Sequence, residues 1–224
     1  MKISIHAAMI PLLASSLALA GPVGEVTPLT QSFAQIGFES IADEYGVSVY
    51  KDENADVIRL GAEGRFAAPP AKVVETLLDY DKQVGKLDRL TTSRILDRGQ
   101  NWMLVYQRLN LPVIDDRDFN LLVTWGDKDG IHWIRWKIAD KGMRPLPGVV
   151  RVTDHEGSWQ LKPFSKGQLT QARFQVRLDV AGLVPKWMAR SGAGDEMPEV
   201  FMSVRRMLVE RVLFGDASCK SKPC

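Results

Sequence analysis

The sequence predicts an α+β fold in which one antiparallel β-sheet is accompanied by helices near the two ends of the chain. Between Arg94 and Asp179, short segments alternate between apolar and polar residues, and turn residues separate them. Helical patterns fall before and after this region. Strands that follow one another at short intervals, without intervening helices, pair antiparallel. The order of these patterns therefore predicts a sheet built from consecutive hairpins.

The first twenty residues have the features of a secretory signal peptide. Lys2 precedes an apolar run over residues 7–20, and Ala18-Leu19-Ala20 gives the small-x-small pattern before Gly21. The alternative is an N-terminal membrane anchor, but the run is too short to span a bilayer core of about 30 Å. We therefore expect cleavage, a location in the periplasm or outside the cell, and a linker at residues 21–30.

The composition suits one domain over residues 31–214 and excludes some partners. A formal net charge of +2 offers no overall field for nucleic acid, and we expect a monomer.

Cys219 and Cys224 are the only cysteines, and they lie in a tail over residues 215–224. In an exported chain this pair suggests a disulfide, and two free thiols are the alternative. We expect no metal and no cofactor, because no ligand run or phosphate-binding glycine loop occurs.

Before the sheet region, the pattern predicts a short helix, a hairpin and a second helix. Phe33, Ile36 and Ile41 have near-helical spacing in a stretch that ends before Gly46. Two strands, Val47–Tyr50 and Val57–Phe66, then form the hairpin. The second helix begins at Pro69-Pro70. Proline lacks a backbone N–H, which costs little there because the first N–H groups of a helix have no partner within it. Its apolar stripe is Val73, Val74, Leu77 and Leu78.

The sheet region contains seven predicted strands: Arg94–Arg98, Trp102–Leu109, one from Arg117 to Trp125, Ile131–Ile138, Val149–Thr153, Ser158–Pro163 and Leu169–Asp179. The last has the clearest alternation, which predicts one packed face and one solvated face. Arg173 and Arg177 belong to the solvated face.

After the sheet, residues 183–213 have an interrupted helical pattern. The sequence from Ser191 to Gly194 is unfavourable in a helix, so the pattern predicts a short helix, a break and a longer helix. The apolar stripe of the longer helix is Val200, Val204, Met207, Leu208 and Val212.

Arg117 is the most informative single residue. In its strand it shares a face with Phe119, Leu121, Val123 and Trp125. A permanently charged group on an apolar face is costly unless it is paired or meets a ligand. A structural ion pair, with Asp116 or Asp118 as candidates, and a ligand contact are equally favoured.

Two blocks of this sequence resemble START-type lipid-transfer domains in a bacterial exported form. One is Leu111–Trp125, in which Leu-Pro and acidic residues precede Arg-Asp-Phe; the other is Asp179–Met188, in which a turn leads to Pro-Lys-Trp. The resemblance implies a helix-grip fold, a curved antiparallel sheet wrapped around a long C-terminal helix with an internal cavity. It also implies non-catalytic binding, and transfer, of one lipid or other hydrophobic molecule, with transient membrane contact.

On this hypothesis Arg117 is the main polar contact with the ligand. The other lining residues are Phe119, Leu121, Val123, Ile134, Trp136, Phe174, Val176, Val184, Trp187 and Met188. Gly192 and Gly194 are the predicted hinge of a gate, because glycine absorbs large backbone changes without steric cost.

Two other functions remain open. The first is an enzyme on the same fold, cyclase-like or hydrolase-like, that acts on a hydrophobic substrate. It would need Arg117 close to His132 or to Asp116 in the cavity, with the pKa of one of them strongly shifted. Each of the two histidines outside the signal peptide, His132 and His155, is more simply a strand or loop residue. The second is an envelope protein-interaction module without a lipid-sized cavity.

Overall fold

A computed structural model describes residues 31–52, 57–111, 114–179 and 196–214. The strands of this part are β1 (Glu39–Glu44), β2 (Val47–Lys51), β3 (Ile58–Phe66), β4 (Leu90–Arg98), β5 (Trp102–Leu109), β6 (Asp116–Lys128), β7 (Ile131–Ile138), β8 (Val149–Arg151), β9 (Asp154–Phe164) and β10 (Leu169–Asp179). The helices are α1 (Pro70–Leu78) and α2 (Glu196–Phe214), and 3-10 turns occupy Ala34–Ile36 and Tyr80–Lys82.

All ten strands of the described residues form one sheet, in the order β1-β2-β3-β10-β9-β7-β6-β5-β4. Every pairing along this path is antiparallel, and β8 adds a short parallel pairing with β6. Two tight hairpins have positive φ at both turn residues, Tyr45-Gly46 and Asp129-Gly130. Such turns match the right-handed twist of the strands that they join. The predicted antiparallel α+β fold is confirmed.

The two helices pack on one face of the sheet, which we call the helix face. Its buried side chains come from alternate positions of β2, β3, β5, β6, β7, β9 and β10 and form one hydrophobic cluster with α1 and α2. On α2, Phe201 is 0% exposed and lies against Phe66 and Trp159, with ring centroids 5.3 and 5.1 Å apart. The absence of a side chain at Gly64 makes room for this ring, because a Cβ there would lie 2.8 Å from it.

Ion pairs join α2 to the segment around α1. Arg211 contacts Glu75 and Asp79, each at 2.6 Å, and Lys86 pairs with Glu210. These contacts connect residues more than one hundred positions apart in the sequence, so they fix the second half of α2 beside α1. Within the described residues, no helix is long and apolar enough to cross a membrane.

The predicted helix around Phe33 and Ile41 is wrong. The helical turn stops at Gly37, whose φ of 88° ends it, and residues 39–44 form β1 instead. Pairing with β2 across the Tyr45-Gly46 turn satisfies backbone groups that a short isolated helix would leave open. Phe33 is nevertheless buried, and its ring occupies the space above Gly61.

Two predictions about solvent exposure are also corrected. The sequence pattern places Val212 on the buried stripe of the last helix, but it is 84% exposed, and its neighbours Leu213 and Phe214 at the end of α2 are exposed as well. Phe201 replaces it as the main anchor. The alternation places Arg173 on a solvated face, but it is 3% exposed and pairs with Glu63 beneath the Phe33 ring. The outer face is therefore covered locally by the N-terminal segment.

Candidate functional site

Seven of the predicted lining residues lie together on the helix face. They are Phe119, Leu121, Val123, Ile134, Trp136, Phe174 and Val176, all buried members of the hydrophobic cluster. Strand pairing places them side by side, since β6 pairs with β7, β7 with β9, and β9 with β10. Their contact with a ligand stays a prediction.

Several predicted features lie outside the described residues. They are the signal peptide over residues 1–20, the linker over 21–30, the lining residues Val184, Trp187 and Met188, the hinge at Gly192 and Gly194, and the pair Cys219 and Cys224.

Arg117 lies at the beginning of β6 and is 3% exposed, which agrees with its predicted place on the apolar face. Its Nη1 donates a hydrogen bond to the backbone carbonyl of Asp115. The two candidate ion-pair partners lie on the opposite face of the strand. There Asp116 binds Arg108 at 2.6 Å, and Asp118 binds Arg151 at 2.6 Å.

Aromatic rings form a continuous row along the helix face. From Trp159, beside Phe201 of α2, the row passes to Phe174 at 4.7 Å and then to Trp136 at 5.7 Å between centroids. It ends at His155 and Phe119, whose rings are 5.0 Å apart. The row therefore connects the part of the sheet covered by α2 with the part where Arg117 begins β6.

The described helices cover only one end of this row. α1 contacts β7, β9 and β10, and α2 contacts β2 and β3. The Thr170 hydroxyl bonds the Ala68 carbonyl just before α1, which places α1 near the start of β10. His155 instead lies beside Leu178, near the end of β10. The Phe119 and His155 end is thus the end away from both helices.

His155 is a titratable group with strongly perturbed surroundings on the helix face. Its Nε2 accepts a hydrogen bond from Trp136 Nε1 at 3.1 Å, and its Nδ1 is buried without a hydrogen bond. Burial lowers the pKa of His155 to about 4, and the backbone of Arg177 raises it only in part. The imidazole is therefore neutral at pH 7.

Sequence reasoning missed His155 as a site residue because it began the strand at Ser158. The strand starts at Asp154, which gives His155 the same parity as Trp159 and Leu161 on the helix face. His132 also has helix-face parity, with Ile134 and Trp136, and is partly exposed at the start of β7. Neither histidine therefore belongs to the outer face. Within the described residues no group of His, Cys, Asp and Glu could hold a metal ion.

A second polar group on the helix face is hydrogen-bonded to its neighbours. The Gln107 Nε2 donates to Gln83 at 3.2 Å and to Ser93 at 3.1 Å, and Gln83 in turn donates to the Leu77 carbonyl. All three side chains are buried. Since Gln107 lies opposite Phe119 in the β5–β6 pairing, this network forms a polar wall next to the aromatic row.

An open groove of about 870 Å³ lies between α1, α2 and the adjoining ends of β3 and β10. Its lining is mostly apolar and includes Phe66, Pro69, Leu169, Leu208, Val209, Val212 and Leu213, with Arg65, Lys72, Arg205 and Arg211 among its charged groups. Large apolar side chains are exposed along the end of α2, namely those of Val209, Val212, Leu213 and Phe214.

By sequence, no family model and no curated protein matches this chain. Comparison of structures does find similar proteins. Human STARD10 shares 14% identity over 78% of this chain and 74% of its own, with a TM-score of 0.71. A STAR-related lipid transfer protein from Xanthomonas axonopodis shares 21% identity over 77% of this chain and 99% of the other, also with a TM-score of 0.71.

An enzyme is also among the similar structures. The ZhuI aromatase/cyclase from Streptomyces shares 15% identity over 70% of this chain and 97% of its own, with a TM-score of 0.53. At these identities the likeness concerns the fold, since one fold hosts many functions. The chain has the START-type, helix-grip fold, as the resemblance of its two sequence blocks predicted.

Proposed function

We propose that this protein binds one lipid or similar hydrophobic molecule on the helix face of its sheet and transfers it without covalent chemistry. The observation that supports this most is the aromatic row, whose Phe119 end lies away from both described helices. There the buried apolar side chains of Phe119, Trp136 and Phe174 would line the ligand site. Apolar burial at about 25 cal/mol per Å² would supply the affinity.

In this proposal Arg117 fixes the orientation of the ligand. A pocket that is mostly apolar gains specificity from a few well-placed polar groups. Arg117 is buried at the beginning of β6, two residues from Phe119 on the same face. The cavity itself, with Val184, Trp187 and Met188 as further lining and Gly192 and Gly194 as its hinge, belongs to the proposal as well.

The exposed end of α2 and its groove fit a transient contact with a membrane. Val212, Leu213 and Phe214 would enter the interface, and Arg65 and Lys72 would meet anionic headgroups. Export to the periplasm or the exterior, which the predicted signal peptide would provide, would place the protein where it meets envelope membranes. We propose that it acts there as a monomer.

Native mass spectrometry of gently purified protein tests the proposal directly. We expect a 1:1 complex with a lipid, and uptake of lipid from vesicles by protein that has been stripped of it. An empty mature protein that takes up no lipid from vesicles would overturn the proposal.

The alternative of an enzyme acting on a hydrophobic substrate is favoured by one observation, the neutral His155 on the helix face, whose Nδ1 is buried. A neutral imidazole can act as a general base, but here Nε2 already accepts from Trp136. Prolonged incubation with the co-purified lipid separates the two functions. A carrier returns the lipid with unchanged mass, whereas an enzyme converts it.

A further inference from the structure

His155 has a hydrogen-bond donor that the described fold leaves unused. The Trp136 indole can only donate, so the 3.1 Å contact between its Nε1 and His155 requires a lone pair on the imidazole Nε2. A neutral imidazole carries one proton, which must then lie on Nδ1. The Trp136 contact thus fixes the tautomer and makes Nδ1–H a donor.

This donor has no acceptor in the described part of the chain. Nδ1 is buried and makes no hydrogen bond of ordinary distance and angle. The Arg177 backbone lies close enough to raise the pKa of the ring, but less than burial lowers it. A buried donor left without a partner loses its hydrogen bonds to water and gains none in return, so native proteins rarely keep one without a reason.

The other polar groups on the helix face do not share this property. Gln107, Gln83 and Ser93 satisfy one another, and Thr170 bonds the Ala68 carbonyl. The two other buried polar atoms without a hydrogen bond in the described residues, Arg59 Nε and Gln175 Nε2, belong to strand positions of outer-face parity. His155 Nδ1 is therefore the buried unsatisfied donor on the proposed ligand face.

We propose that the His155 Nδ1–H donates a hydrogen bond to an uncharged acceptor oxygen of the bound lipid, an ester or ketone carbonyl or a hydroxyl. This rests on the proposed function. The surroundings decide the class of acceptor, because the rings of Phe119 and Trp136 on either side disfavour burial of a charge. A neutral donor between apolar rings suits a neutral oxygen in the middle of an otherwise apolar ligand.

Two substitutions separate this role from a structural one. His155→Asn keeps an N–H near the Nδ1 position and loses the acceptor for Trp136. His155→Gln can keep an acceptor near the Nε2 position and loses the donor at Nδ1. If His155 binds the ligand, His155→Asn should keep the lipid affinity of the wild type and His155→Gln should lose part of it. A purely structural role predicts that only stability changes.

The probes are methyl hexadecanoate and heptadecane, delivered from cyclodextrin complexes to lipid-free full-length protein. We expect wild type and His155→Asn to prefer the ester over the hydrocarbon by about three- to tenfold, the effect of one hydrogen bond. His155→Gln should lose this preference, while heptadecane uptake stays equal in all three proteins. An ester preference that survives in His155→Gln would overturn the proposal.

A measurement on the wild type alone keeps the test valid if a variant does not fold. The ¹H–¹⁵N resonance of His155 Nδ1 should shift when methyl hexadecanoate is added and stay in place with heptadecane. Binding of the ester with an unmoved resonance would refute the role of His155 and leave the proposed function intact. Uptake of neither probe by the wild type would refute both.

Discussion

The carboxylate of Asp118, which is 0% exposed, accepts a hydrogen bond from Arg151 Nε at 2.6 Å. It also accepts one from the Tyr106 hydroxyl at 3.1 Å. These bonds join β6, β5 and β8 on the outer face of the sheet. Asp118 is thus a structural carboxylate. It lies on the face opposite Arg117 because adjacent residues of a strand point to opposite faces.

Replacing Arg151 with methionine should destabilise the protein strongly. The change leaves the buried Asp118 carboxylate without its cation, and removing one partner of a buried pair costs about 3–5 kcal/mol. Urea unfolding measures the loss. Lys137→Met, at an exposed position on β7, is the control and should change the free energy of unfolding by less than about 0.5 kcal/mol. Equal effects of the two changes would contradict this assignment.

Phe201→Ala and Val212→Ala test the orientation of α2. Phe201 fills the space between Phe66 and Trp159, so its truncation should cost about 3–5 kcal/mol. Val212 is exposed on the same helix, and its truncation should be nearly neutral. Thermal unfolding of both variants provides the measurement. A large loss at Val212 would support the sequence-based stripe instead.

Arg117→Leu should lower lipid affinity more than stability, because the change keeps the apolar bulk while removing the proposed polar contact with the ligand. The melting temperature and lipid binding are measured on the same variant. Arg135→Leu, at an exposed position on β7, serves as the control for general loss of charge. If Arg117 instead holds a structural ion pair, unfolding should become easier by about 3–5 kcal/mol while the remaining folded protein binds lipid normally.

Stability should fall with acidification between pH 6.5 and pH 4 because of His155. Its pKa is lowered from 6.5 to about 4 by burial, so the unfolded state binds the proton more readily throughout this window. Linkage gives a loss of about 2 kcal/mol between pH 7 and pH 5. The loss can be measured by urea unfolding at the two pH values. In His155→Gln this part of the pH dependence should disappear; an unchanged slope would assign it to other groups.

Val212→Asp together with Leu213→Asp should weaken binding to vesicles that contain anionic lipid. Both side chains are exposed at the end of α2, so the fold should tolerate the change, while burial of the new charges in the interface is unfavourable. Vesicle co-sedimentation measures binding, and retained native mass spectra with lipid show that the ligand site is intact. Unchanged sedimentation would remove this surface from the proposed function.

Local patterns in the sequence were sufficient for several of the strands. The segments Trp102–Leu109, Ile131–Ile138 and Leu169–Asp179 were predicted with the bounds that the structure has, because alternation at period two and adjacent turn residues are local signals. The same parity placed Arg117, Phe119 and Trp136 on one face. The resemblance of two short blocks supplied the helix-grip arrangement, which periodicity alone does not specify.

Tertiary contacts decided the remaining features. Residues 39–44 became a strand because β2 was available as a partner, and Val212 is exposed because tertiary packing leaves the end of α2 open to solvent. His155 acquired its tautomer and its low pKa from Trp136 and from burial beside Phe119, residues that are distant in the sequence. The sequence determined which side chains share a face, because that depends on neighbouring residues. Which of them are covered, paired or left with an unused donor depends on long-range packing.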